Sequence, residues 1–212
     1  MPARHTGDAT PFQPEVDDAL RARLKDLCTE GWAFFERFDR EVREREFHSF
    51  IASEYEVVLE ALIAHRAPGR SFLELGSASG VITIMADLLG YEQASGIEID
   101  TSLVGTARAL ATRFSSGARF VAGSFFPSGY AFKTASGDER TGTMGAGISA
   151  YLELGRALDD YDVVFGYPWG GEEPVMIDLM KRYGNPESLL LLHGVNDGVK
   201  GYRGGKQVAG VR

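Results

Sequence analysis

The heptapeptide "ELGSASG" (Glu74–Gly80) has the composition of a loop that approaches a ligand with its backbone. Gly76 and Gly80 permit a sharp turn without a Cβ in the way. The next residues, "VITIMADLL", put Val81, Ile82, Met85, Leu88 and Leu89 on one helical stripe. The loop therefore opens into a helix N-terminus, whose free N–H groups favour an anionic group. Two familiar nucleotide loops are disfavoured. Counting a G-x-G-x-x-G pattern from Gly76 puts Ala78 and Val81 where the second and third glycines belong, and no Gly-Lys-Ser/Thr follows. What remains is E-x-G-x-x-x-G. An acid stands at the next expected strand tip: Glu98, in "GIEID", 22 residues after Gly76. A carboxylate there can accept both hydroxyls of a ribose. Asp100 or Thr101, one or two steps on, reads as the cap of the next helix.

A second group lies in "GYPWGGEE" (Gly166–Glu173). The rings of Tyr167 and Trp169 can frame a cation. Glu172 and Glu173 can hold an amine or act as a base. The competing reading has Trp169 packing the loop and the glutamates favouring the following helix N-terminus, and at least one glutamate is expected to serve only the helix. His193 ends an apolar run, "ESLLLLHG", and faces the same edge. His48 sits in "FHSFIASEY", ahead of the first strand, where a helix-surface or capping role competes with a functional one. The four histidines and single cysteine show no metal-ligand spacing, so no structural zinc is expected.

The elements that carry these residues alternate. "SFLEL", "ASGIEI", "ARFVAG", "DYDVVFG" and "ESLLLLHG" read as strands, separated by helical patterns such as "TSLVGTARALATRF" and "EPVMIDLMKRYG". That order predicts an α/β fold: a doubly wound, mostly parallel sheet with helices on both faces. Three regions follow: a flexible arm over 1–16, a helical N-terminal cap over 17–68, and an α/β domain over 69–212. Asp17 to about Arg66 reads as helical, with Leu20, Leu24 and Leu27 in register and Cys28 as a small core residue. Residues 127–147 form a long insertion with five glycines, read as a flap beside the site. In the tail, "VKGYRGGKQVAGV" predicts a hairpin turning at Gly204–Gly205. Too few residues follow His193 for a full helix plus hairpin, so that helix is expected to be absent or one turn long and the last strand short or absent.

The chain of 212 residues, 44% hydrophobic, suits one domain with a real core. A formal net charge of −8 gives no general attraction to nucleic acid or anionic membrane, and neither is expected as a partner. A lone cysteine fits a reducing, cytoplasmic setting. No apolar run approaches the ~20 residues that span a bilayer, and the N-terminal "MPARHTGDATPFQP" lacks the apolar core of a signal peptide.

Four motifs at four consecutive strand tips, "LELGSASG", "GIEID", "FVAGSFF" and "YDVVFGYPW", resemble those of the class I S-adenosylmethionine-dependent methyltransferases. The resemblance runs from about Phe72 to His193. It implies a Rossmann-like fold, S-adenosylmethionine as cofactor and methyl transfer as the activity. By that resemblance Glu74, Gly76, Ser77 and Gly80 line the methionine end, Glu98 takes the ribose, and Ile99 lies against the adenine. Ser124 and Phe125 take the other adenine positions, with Ser124 standing where the family usually has an acid. The segment with His48 and Tyr55 folds over the cofactor. Tyr167, Trp169, Glu172 and His193 face the transferred methyl group. The Asn/Asp-Pro-Pro-Tyr run common in amino-group methyltransferases is replaced by Tyr167-Pro168-Trp169-Gly170, so a nucleic-acid base is not inferred as substrate. A small-molecule acceptor is the leading reading. A basic protein segment, with lysine methylation, is the alternative, and a non-catalytic binding protein a third. The N-terminal helices either cover the site or make a homodimer.

Overall fold

The computed structural model describes residues 16–42, 50–131, 147–168, 172–194 and 197–209. Two helices lead, α1 (Asp18–Val42) and α2 (Tyr55–His65). There follow β1 (Ser71–Leu75), α3 (Val81–Leu88), β2 (Glu92–Glu98), α4 (Thr101–Arg113) and β3 (Arg119–Ala122). A single-turn helix α5 (Tyr151–Leu154) and a 3₁₀ turn (Leu158–Asp160) lead to β4 (Val163–Gly166), α6 (Glu173–Tyr183) and β5 (Leu189–Gly194). The chain ends in β6 (Gly198–Arg203) and β7 (Lys206–Val208).

All seven strands form one sheet in the order β3-β2-β1-β4-β5-β6-β7. The first five run parallel, and β6 and β7 are antiparallel. The sheet is doubly wound, with its switch point between β1 and β4, where ligands bind in such sheets. The strands β1, β4 and β5 are mostly apolar because both their faces are covered. Phe72, Val163, Phe165, Leu189 and Leu191 join the core under α1 to α4. Leu73, Leu75, Val164, Leu190 and Leu192 point the other way, into the core with α5 and α6.

The helices begin where the side chains direct. Asp17 accepts from the Leu20 N–H at 2.7 Å at the start of α1, and Asp100 caps α4 by accepting from the N–H groups of Ser102 and Leu103. The long helical stretch expected from Asp17 to Arg66 is interrupted: residues 50–54 are not helical, and Phe50, Ala52 and Ser53 are buried there. No helix stands between β5 and β6 among the described residues. The β6–β7 hairpin turns at Gly204 (φ +52°) and Gly205 (φ +76°), and β7 has only 3 residues. Of the 127–147 insertion, residues 132–146 lie outside the described residues, as does most of the 1–16 arm. Ser149, just after the insertion, bridges to Ser124. Among the described residues no helix is long and apolar enough to cross a membrane, and no group of three or more His, Cys, Asp or Glu side chains could hold a metal ion.

Candidate functional site

The loop between β1 and α3 is anchored from below. Gly76 and Ser77 both donate their N–H to the Ile97 carbonyl, at 2.9 and 2.8 Å. Its glycines do different work. Gly76 has φ +79°, and a Cβ there would meet nothing within 4 Å, so its outer side is open to an approaching group. Gly80 has φ +80°, and a Cβ would lie 2.6 Å from Phe120 and 2.7 Å from Ala107. One glycine leaves room outside, and the other lets α3 pack inside. A third was not evident from the sequence: a Cβ on Gly96 of β2 would lie 2.7 Å from Ser77 and 2.8 Å from the Thr83 hydroxyl. Ser77 itself is buried beneath the loop.

The two acids stand one strand apart. Glu74, at 4% exposure, accepts from the Thr83 N–H at 2.9 Å and from the Thr83 hydroxyl. It braces the first turn of α3. Burial pushes its carboxyl up to about 8, against the pull of the Thr83 bonds. Glu98 is buried at the tip of β2, with one oxygen accepting from the Ala78 N–H at 2.8 Å and the other from the Asp100 N–H at 2.9 Å. Burial raises this carboxyl too, opposed by those N–H groups. A carboxylate accepts up to four hydrogen bonds, and with the Ile99 N–H also beside it Glu98 keeps capacity for at least one more.

Next to Glu98, the Ile99 side chain lies against Gly147, where a Cβ would be 3.2 Å from the Ile99 Cδ1 and 3.4 Å from the Ser124 Cβ. Ser124 accepts from the Phe126 N–H through its Oγ, and its backbone pairs with Ile148 and Ala150. Phe125 is buried against Phe126, with ring centroids 4.6 Å apart.

The start of α2 crosses this edge. Tyr55 is buried beside Trp32 at 5.0 Å between ring centroids, and its hydroxyl lies near Ser79 of the loop. Its neighbour Glu54 brings a carboxylate to 3.9 Å from His193 Nε2. Tyr167, just past β4, sets its ring 4.9 Å from that of His193. Glu172 is buried at the N-cap of α6, where its backbone carbonyl receives the Val175 and Met176 N–H groups. Glu173 in the first turn accepts from the Tyr202 hydroxyl, so this glutamate holds the helix to β6. His48 and Trp169 lie outside the described residues. Glu54 escaped the sequence reading because nothing near it in the chain marks it, and only the fold brings it to His193.

This strand order is that of a doubly wound, Rossmann-like sheet with an antiparallel hairpin at one edge, and the acid-flanked glycine loop lies at its switch point. No family model matches the chain. Over 68 residues it is 41% identical to the ribosomal protein L11 methyltransferase of Thermus thermophilus, a stretch that is 32% of this chain and 26% of that protein. The chain thus spans about a quarter of the length of the curated relative it matches. Among solved structures it is similar to the precorrin-6y C5,15-methyltransferase of Geobacter metallireducens, at 20% identity over 73% of this chain and 71% of that one, with a TM-score of 0.48. It is also similar to an RNA methyltransferase from Salinibacter ruber in complex with S-adenosyl-L-homocysteine, at 19% identity over 67% and 76% of the two chains, with a TM-score of 0.49.

Proposed function

We propose that this chain is an S-adenosylmethionine-dependent methyltransferase acting on a small molecule. One observation carries the reading: the Glu98 carboxylate at the tip of β2 is held by two backbone N–H groups with acceptor capacity to spare, one strand from the open side of Gly76. A ribose diol fits the first, and a ligand pressed close to the backbone fits the second. The bound cofactor supplies a methyl group on a cationic sulfur, ready for displacement by a nucleophile. Gly76, Ser77 and Gly80 shape the methionine end, with Glu74 bracing α3 beneath them. Glu98 orients the ribose, and Ile99, Ser124 and Phe125 bound the adenine side. Tyr55 narrows the approach from the N-terminal side, and the expected role of His48 belongs to the same segment. Tyr167, Trp169, Glu172 and His193 are assigned to the acceptor side. Methyl transfer depends chiefly on aligning nucleophile, methyl and sulfur, so the task of these residues is to orient the acceptor and exclude water.

A small acceptor is favoured because Glu54 and Tyr55 reach from α2 towards both His193 and the loop, which leaves a narrow approach. The test is calorimetric titration with S-adenosylmethionine and S-adenosylhomocysteine. Wild type is expected to bind both, and Glu98→Ala to bind at least about tenfold more weakly, the cost of losing hydrogen bonds to a charged group. Folded wild type that binds neither ligand overturns the reading. Binding without turnover across a panel of small acceptors and basic peptides would make this a cofactor-binding protein instead.

A further inference from the structure

His193 closes β5 in an unusual state. It is 1% exposed, and neither Nδ1 nor Nε2 has a hydrogen-bond partner among the described residues. Buried polar groups are almost always paired, and leaving one unpaired is costly. The position is not remote. Leu75 pairs with Gly166 and Gly166 with Leu192, so Gly76, Tyr167 and His193 stand abreast at the carboxyl edge of three neighbouring strands. At about 4.8 Å per strand, His193 is roughly 10 Å across the edge from the glycine loop. The Tyr167 ring stands between them against His193, so an acceptor in that gap reaches the imidazole by displacing this ring.

Among the described residues, few groups surround the ring. Glu54, ahead of α2, reaches to 3.9 Å of Nε2 and is itself 61% exposed. Tyr167, just past β4, packs its ring against that of His193 at a tilt of 51°. On β6, Val199 is the residue opposite, while Asp197 and Lys200 pair with each other at 2.8 Å. Burial holds the imidazole below its ordinary range, and Glu54 offsets this only in part, so the ring is neutral at pH 7. Burial and Glu54 also raise the Tyr167 phenol, which stays protonated and does not compete as a base.

We infer that His193, with the Glu54 carboxylate nearby to favour the charge it gains, takes the proton from a hydroxyl group of the methyl acceptor, which makes the acceptor a weakly acidic alcohol, phenol or enol. The inference rests on the methyltransferase reading above. In the step, the acceptor oxygen forms its bond to the methyl carbon as the carbon–sulfur bond breaks. The sulfur keeps that electron pair and becomes a neutral thioether, and the hydroxyl proton passes to His193, which carries the positive charge away. A neutral amine already has a free lone pair and needs no base at the moment of attack. A hydroxyl does, and that separates the two classes.

The test is nitrogen-15 NMR of the full chain labelled at histidine, with phenol, anisole and aniline as probes. His193 is expected to be neutral at pH 7, with a titration midpoint below the ordinary value of about 6.5. Glu54→Gln should lower that midpoint further, a shift that a purely structural glutamate would not produce. Phenol should move the His193 ring nitrogens, and anisole, which lacks the hydroxyl, should not. A charged His193 at pH 7, resonances unmoved by phenol, an equal response to anisole, or a stronger response to aniline each overturns the inference. Calorimetry with S-adenosylhomocysteine on the same sample separates the two failures. Normal binding with a failed phenol response removes the hydroxyl inference alone, and failed binding removes the methyltransferase reading with it.

Discussion

Two buried glutamates one strand apart differ by what they touch. Glu98 is held by N–H groups of the loop and of the β2 tip, whereas Glu74 is held by a threonine in the first turn of α3. Burial makes Glu74 a pH-sensitive brace. Its folded-state carboxyl retains a proton up to about 8, while the reference value is 4.5. Across that window the folded protein binds a proton that the unfolded chain has released. The contribution of Glu74 to stability is therefore full at acidic pH and falls as pH rises towards 8. Glu74→Gln keeps the acceptor for Thr83 and removes the charge. Urea unfolding at pH 5 and pH 8 should show the variant gaining on wild type by on the order of 3–5 kcal/mol between the two. His65 and His193, both held below the ordinary imidazole range by burial, act with the opposite sign, and they cancel because both proteins carry them. An unchanged difference between the two pH values would mean that Glu74 is ionised in the fold at neutral pH.

Among the elements, close approaches at glycine decide the geometry. Gly96 lets β2 slide under the loop at Ser77 and Thr83. Gly96→Ala should push the loop outward and weaken S-adenosylhomocysteine binding by about tenfold or more, at an overpacking cost of about 1–3 kcal/mol in stability. Affinity equal to wild type in the folded variant would detach the loop from the site. Gly31 plays the same part in α1, where a Cβ would lie 2.7 Å from Val81 and 2.8 Å from the Tyr55 ring. Alanine gains about 1 kcal/mol in helix propensity there. The clash falls on buried groups and costs about 1–3 kcal/mol, so Gly31→Ala should lower the Tm. The elements themselves were largely legible in the sequence, because strands covered on both faces are mostly apolar and a capping aspartate marks its own helix. The glycine loop and Asp100 declare their geometry locally. Gly96 and Gly31 do not, since what each must avoid is brought by a different element. Nor does α5, whose single turn is shorter than any helical period can reveal, nor the meeting of Glu54 with His193. Local pattern reports local structure, and the cluster of Glu54, Tyr167 and His193 is assembled from distant pieces.

For the molecule as a whole, the question is whether α1 and α2 are a detachable cap or part of one folding unit. The sequence divides naturally near residue 68, but the core does not. Leu24, Leu27 and Cys28 of α1 are buried in the same cluster as Phe72, Phe165 and Leu191 of the sheet. The ion pair between Glu30 and Arg113, which also ties α1 to α4, is largely exposed and contributes little. Apolar burial is what joins the layers, and it does so too extensively for the helices to melt alone. Leu27→Ala should therefore destabilise the entire chain by about 2–5 kcal/mol. Trp32 provides a direct probe, since it lies in α1 against Tyr55. The chain has 2 tryptophans, so Trp169→Phe leaves Trp32 as the only indole. Its fluorescence and the far-UV circular dichroism of the sheet and helices should then trace one transition with a common midpoint, as two-state unfolding requires. An earlier fluorescence transition would make the N-terminal helices a separate unit that docks on a finished sheet, and the narrow approach formed by Glu54 and Tyr55 would then open without unfolding the rest.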